Sequence, residues 1–496
     1  MPASATPVPL PSPWGGMNTR EGLASLQPNE ARYLENWQPA GNALSPRAGY
    51  LTASSGGVGA AVETLAAYEG LTATALIGVK GGSVYDFSGA SATLLSAADH
   101  ASSRFQTECY NGRLIAVNGT DTPWSFDGAS VDATGFTGAG LTLSRLANIR
   151  QVRNRLWFCE KDQADVWYGD IGAITGALTK FQLSQIAAGG TCLAIGAHST
   201  ADAGSGPGDY TVFVMNTGEV IVYSGDPSTT FAIVGKYRVP PPLGRQCLVK
   251  IGAGLAVITR MGLVPVTAAV AGTAFDPLAT GAFGKVAPSL QADAASYGSL
   301  DGWSATFFDG LVIVNVPILD RQASRQYVFN SLVGAWTIWS GLDAAAFCPF
   351  GSALHWGAWA GGNVNVQAGP DDNGTAIALK ARQAFLQPGG GHLVEATAVR
   401  FDMAVAGQVT GAFGIDVDYV ARPITIPPVS IAQSFASTLW GAAWGSPWSS
   451  SNQYKGQWFS TYGLGRALGL ALEATATTRN LAWYGSSVLV KGGGIT

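Results

Sequence analysis

A two-strand unit that keeps returning constrains this chain more than any other feature. An apolar strand is followed by a turn, then by a second strand that ends in an aromatic and a small residue, usually before glycine. Ala75–Val79 and Ser83–Gly89 give the first case, closing on Tyr85-Asp86-Phe87-Ser88-Gly89. Leu114–Asn118 with Pro123–Gly128 closes on Trp124-Ser125-Phe126, and Leu156–Glu160 with Val166–Gly169 closes on Trp167-Tyr168. Thr211–Met215 turns at Asn216-Thr217-Gly218 into Glu219–Ser224. A fifth unit, Leu255–Thr259 with Leu263–Val266, lacks the aromatic ending. A sixth carries Leu311–Val316, Gln326–Asn330 and Trp336–Gly341, and a further pair, Ala353–Trp359 and Val364–Gln367, follows it. Gly- or Asn-bearing turns between alternating strands are a strong local hairpin signal.

The early units recur at about 40 residues, the blade length of four-stranded propellers. One such unit cannot bury its inner face alone, whereas stacking around an axis covers those faces and protects the edges. The expected fold is all-β: an irregular β-propeller of about six blades, with a short N-terminal docking segment and a C-terminal β domain. A pair of β-sandwiches is the competing architecture.

The expected domains are residues 1–61, an N-terminal assembly segment and linker; 62–370, the propeller; and 371–496, a C-terminal β domain with a Trp-rich loop. Pro28 stands where a helix can begin, so Asn29–Asn36 is read as two helical turns, and Ala53–Ala61 as a Gly/Ala/Ser linker.

At 496 residues the chain is too long for a single compact core. Charged residues make up only 12% against 47% hydrophobic, about half the usual charged share. Either other copies or partners cover large surfaces, or neutral polar groups keep a β protein soluble. A net charge of −4 argues against tight, sequence-independent gripping of nucleic acid without deciding the function. No window reaches the ~18 uninterrupted apolar residues of a membrane helix, and residues 1–13 do not read as a signal peptide. The five scattered cysteines read as reduced core thiols.

Chemistry is sparse. The four histidines (His100, His198, His355, His392) have no metal-ligand spacing, and neither a nucleophile elbow nor a phosphate-cradling loop is present. Asp416 and Asp418, two apart on an expected strand, share a face that suits calcium, acid–base work or plain exposure. The expectation is a non-enzyme without cofactor or metal. The ladder Trp440, Trp444, Trp448 is either an aromatic ridge for a partner or a plug for a neighbouring sheet.

Several phrases together resemble the tail nozzle proteins (tail tubular protein B-like, or tail hub) of short-tailed bacteriophages, the podoviruses. They are Trp14-Gly15-Gly16-Met17-Asn18-Thr19-Arg20, Leu34-Glu35-Asn36-Trp37 and Pro46-Arg47-Ala48-Gly49-Tyr50 at the start. Tyr327–Asn330 with Gly334–Trp339, the Trp440–Trp448 ladder and the ending Ala482–Gly485 through Gly494 complete the set. The resemblance implies a virion protein assembled in the host cytoplasm, forming a ring, commonly a hexamer, below the portal and adaptor. It would close and line the channel through which double-stranded DNA leaves, and hold fibres, spikes or a plug. Trp14, Asn18, Arg20, Trp37, Arg47, Trp440, Trp444 and Trp448 are the expected partner-binding residues. The alternative is a carbohydrate-binding or carbohydrate-cleaving propeller.

Overall fold

The computed structural model describes residues 5–57, 59–70, 73–200, 208–252, 254–267, 281–405, 408–424, 426–433, 456–476 and 481–492. The chain forms two units. One is drawn from Thr52–Gln326 and Leu342–Val366, the other from Met1–Leu51, Tyr327–Gly341 and Gln367–Thr496. Their boundaries fall near residues 51 and 367, and the N-terminal segment is part of the same unit as the C-terminal β region.

The first unit is a β-propeller of seven blades, against the about six expected. Blade 1 runs Val62–Glu69, Thr74–Lys80, Ser83–Asp86 and Thr93–Ser96; blade 2 runs Gln106–Tyr110, Arg113–Val117, Trp124–Phe126 and Val131–Ala133. Blade 3 is Leu146–Val152, Arg155–Glu160, Val166–Tyr168 and Thr179–Phe181, and blade 4 is Cys192–Thr200, Gly208–Met215, Glu219–Gly225 and Phe231–Arg238. Among the described residues blade 5 has three strands, Leu248–Ile251, Gly254–Thr259 and Gly262–Pro265. Blade 6 comprises Ser304–Phe308, Leu311–Leu319 and the start of Ala323–Asn330. Blade 7 joins Ala344–Phe350, Ala353–Ala358 and Val364–Gln367 to the N-terminal strand Tyr50–Ser54. The first strand of each blade touches that of the next, and blade 7 returns to blade 1, so the ring is closed.

Period-2 alternation explains why these strands look almost continuously apolar: both faces of a blade are covered by neighbours. In Arg155–Glu160, Leu156 and Phe158 point into the core shared with blade 2, while Trp157 and Cys159 point into the core shared with blade 4. Gly208–Met215 repeats the device: Phe213 and Met215 face blade 3, Val212 and Val214 face blade 5. Trp157 packs on Phe213 and Phe231 with ring centroids 5.5 Å apart in each case. Burying one such aromatic contributes about 1.5–3 kcal/mol, so the aromatic strand ends hold the blades together.

The second unit is a β-sandwich. One sheet orders Trp37–Ala40, Ala43–Pro46, Leu481–Gly492, Val394–Val405 and Trp458–Gly465, with Thr6–Pro11 also on Leu481–Gly492. The other orders Ala335–Trp339, Ala31–Glu35, Ile377–Gln383, Leu468–Ala476, Gln408–Val417 and Val429–Gln433. Phe401 of the first sheet meets Phe413 of the second at 5.3 Å, and Phe459 closes on Phe413 at 5.7 Å.

Two local expectations are corrected. Residues 31–35 form a strand, not helical turns, because antiparallel pairing with Ile377–Gln383 outweighs local helix propensity. An α-helix, α1 (Ala287–Tyr297), precedes blade 6 and carries a proline in its first turn. The start of the stretch read as a linker, Ala53 and Ser54, ends the strand Tyr50–Ser54 that completes blade 7.

Candidate functional site: a buried knot and the mouth of the propeller

In the sandwich unit, the phrases at Trp14–Arg20, Leu34–Trp37, Pro46–Tyr50 and Trp336–Trp339 converge. Met17 N–H donates to the Trp336 carbonyl at 2.7 Å and Asn36 N–H to the Ile338 carbonyl at 2.7 Å. Gly16 has φ +81°, and a Cβ there would lie 2.6 Å from Trp336 N, so only glycine lets the two backbones approach. Trp37 is fully buried against Trp483, centroids 5.4 Å apart.

Arg47 is the centre of this knot. Its side chain is 0% exposed, and the guanidinium donates in five directions. Nη1 and Nη2 form a bidentate pair with Asp372 at 2.8 and 2.6 Å. Nε reaches Asn36 Oδ1 at 2.9 Å, Nη1 the Ala48 carbonyl at 2.9 Å and Nη2 the Ser340 carbonyl at 2.8 Å. Asn36 in turn donates through Nδ2 to the Ala378 carbonyl at 2.8 Å. Asn18 Nδ2 donates to Glu30 Oε2 at 2.9 Å, also buried.

This corrects the expected roles of Asn18, Trp37 and Arg47. Each is buried in its own unit and occupied there, which leaves no surface to offer a partner. Trp14 is partly exposed, and Arg20 pairs with Glu21 at 2.6 Å on a partly exposed stretch. Trp440, Trp444 and Trp448 lie outside the described residues.

The carboxylate pair is also resolved. Asp416 is 1% exposed and held by Arg32 and by Arg382 Nη1 at 2.9 Å, with the Arg422 N–H at 2.6 Å. The strand ends at Val417, and Asp418 turns away in a left-handed conformation (φ 51°) to accept from the N–H groups of Arg466 and Ala467. Those amides hold its carboxyl below the usual range. The two acids are separately committed and do not converge on a substrate.

In the propeller, the first strands of all blades run in one direction, so their starting ends gather at one mouth. The axial cavity holds about 170 Å³ and is lined by all seven blades, with Thr107, Asn148, Arg150, Gln246 and Thr306 among its walls. Arg150 Nη1 pairs with Glu108 at 3.0 Å, and burial pushes the Glu108 carboxyl up. Side chains bridge successive blades: Asn148 Oδ1 accepts from Ile195 N at 3.2 Å, and Thr64 Oγ1 donates to the Ser103 carbonyl at 2.6 Å. At the mouth a second cavity of about 370 Å³ is walled by Arg104, Arg245, Asn118, Asp301 and Trp303. Arg245 Nη1 donates to the Asn118 carbonyl at 2.8 Å, which fixes that cation at the rim.

Reading for motifs passed over Glu63, Arg104, Arg245 and Trp359. For the three charged residues the signal is compositional: in a chain this poor in charge, ionised side chains at or just before apolar strands are exceptional. Among the described residues no cluster of three or more His, Cys, Asp or Glu side chains is placed to hold a metal ion. No helix there is long and apolar enough to cross a membrane.

No protein-family model matches the chain, and no curated protein does. Among solved structures, the computationally designed Ika8 protein aligns at 12% identity and TM-score 0.36, covering 64% of this chain and 99% of that one. YCF48 bound to D1 peptide aligns at 10% and 0.37, covering 67% and 95%. The extracellular domain of the putative one component system BT4673 from B. thetaiotaomicron aligns at 8% and 0.40, covering 84% of this chain and 60% of that one.

Proposed function

We propose that this chain is a structural subunit of the nozzle of a short phage tail, a ring-forming virion protein whose work is mechanical. The observation that carries the reading is the knot around Arg47. Phrases scattered along the chain, which carry the resemblance to podovirus nozzle proteins, meet in one buried network in which Arg47 and Asp372 are 325 residues apart. A subunit that must hold its shape against a leaving genome gains from such cross-chain ties. The low charge fits the same role, since flanks covered by neighbouring copies need little ionic solvation.

The propeller axis is not the genome path in this reading: a cavity of about 170 Å³ accepts small molecules, not a duplex. DNA would travel along the symmetry axis of an assembled ring without base-edge contacts, as the −4 net charge suits passage without gripping. The ring, commonly six-fold in that family, would dock on a portal–adaptor complex and carry fibres, spikes or a plug.

The test is electron microscopy and mass photometry of the purified full chain, alone and with the portal–adaptor complex of its own genome. Closed rings, or chains seated on the adaptor, are expected. A dispersed monomer under both conditions refutes the reading.

A further inference from the structure

Inside the propeller two nucleophilic side chains meet away from both the knot and the mouth. Cys159, on the second strand of blade 3, and Cys192, which opens the first strand of blade 4, point into the core that the two blades share. Their Sγ atoms are 3.3 Å apart, although 33 residues separate them along the chain. Cys159 is 1% and Cys192 5% exposed, and both thiols are free. A single buried cysteine serves as a small apolar residue. Two with their sulfurs in contact across a blade boundary place a nucleophile beside its own reaction partner.

A disulfide holds its sulfurs about 2.05 Å apart, so closure asks these two to approach by about 1.3 Å. The other cysteines are placed elsewhere. Cys109 belongs to blade 2 and Cys348 to blade 7, while Cys247 sits in the core between blades 4 and 5 and is the nearest competitor. Burial pushes the Cys159 thiol well above its ordinary range, which keeps the reactive thiolate scarce. Oxidation of the native fold is therefore slow and needs a water-sized oxidant or a local opening of the blades.

We propose that Cys159 and Cys192 form an oxidative modification site, closing to a disulfide that staples blade 3 to blade 4. With hydrogen peroxide as the oxidant the step balances. One thiolate attacks a peroxide oxygen: the S–O bond forms, the O–O bond breaks, and the departing hydroxide takes up the thiol's proton as water. The second thiol then displaces hydroxyl from the sulfenic sulfur: the S–S bond forms, the S–O bond breaks, and a second water leaves. Two thiols and one peroxide give one disulfide and two waters. In reducing surroundings the pair stays open, so the staple closes only on oxidation. The site is independent of any assembly role.

The experiment uses the full chain carrying Cys109→Ser, which removes the one cysteine that is not buried and leaves four of the five thiols. Thiols are counted in denaturant with Ellman's reagent, before and after native incubation with hydrogen peroxide. The count should fall from four to two and return to four with dithiothreitol. Non-reducing peptide mapping should show the Cys159 and Cys192 peptides joined. The oxidised chain should melt at least about 4 °C above the reduced one, the scale for a disulfide closing a loop of ~30 residues. Adding Cys192→Ala should hold the count at three through the same treatment, whereas Cys247→Ala should still lose two thiols to the same peptide pair. A count that stays at four, a loss that dithiothreitol does not reverse, a bond made by Cys247 instead, or an oxidised chain that melts lower than the reduced one overturns the proposal.

Discussion

Replacing Arg47 by methionine tests whether the sandwich unit depends on its buried knot. The substitution keeps much of the aliphatic stem but removes every donor. It leaves the Asp372 carboxylate, 14% exposed, beside the Ser340 and Ala48 carbonyls and Asn36 Oδ1 without their shared partner. Removing one member of a buried ion pair costs about 3–5 kcal/mol, because the survivor is a buried charge. At ~2–4 °C per kcal/mol for a unit of 150–250 residues, melting should fall by roughly 6–20 °C. Two units need not unfold together, so the assay is urea-dependent hydrogen exchange read by mass spectrometry. Peptides from Ala31–Glu35 and Ile377–Gln383 should lose protection while blades 1–4 keep theirs. Adding Asp372→Leu should restore at least half the loss, since an apolar pair avoids the stranded charge. A loss below about 1 kcal/mol, the worth of an exposed pair, refutes the reasoning.

Gly49→Ala should destabilise the same unit, because the new Cβ would fall 1.9 Å from the Asp371 carbonyl oxygen; a melting curve within 1 °C of the parent, on the scale of ~2–4 °C per kcal/mol, argues otherwise. In the propeller, the hydrogen bond from Arg155 lowers the Asp226 pKa strongly, so the pair's contribution is complete above about pH 5 and fades as pH falls below about 4. Asp226→Asn should flatten the stability–pH profile in that acid range, measured by denaturant midpoints. Burial pushes the Cys247 and Cys348 thiols up to about 12 and raises Cys159 as well. Ellman's reagent at pH 8 should therefore leave these three unreacted in the native chain and titrate them after unfolding.

The blades were legible because their information is local: Asn216-Thr217-Gly218 makes its turn whatever lies elsewhere, and alternating apolar residues bracket it. The outer strand of the seventh blade was hidden because Tyr50–Ser54 precedes blade 1 by sequence yet pairs beside Val364–Gln367. Trp336–Trp339 repeats the aromatic closing phrase of a blade but belongs to the sandwich, where Glu35 pairs with Ile338; the phrase alone does not encode which sheet it joins. Residues 31–35 were misread for the same reason, since their strand partner is Ile377–Gln383. At the candidate site, Arg47 was read as a partner-binding residue, whereas its side chain is buried in a network of its own unit. Polar residues in a family phrase serve a buried network as readily as a docking face, and only burial separates the two.

The pairing of Arg47 with Asp372 has a consequence for synthesis. A ribosome adding ~5–20 residues per second needs about 16–65 s to make the 325 residues between them. Through that interval Trp37 and the Arg47 guanidinium lack the Trp483 and Asp372 side chains they are buried against. Blades can close behind it one by one, but the strand Ala31–Glu35 and Arg47 must wait for Ile377–Gln383 and Asp372.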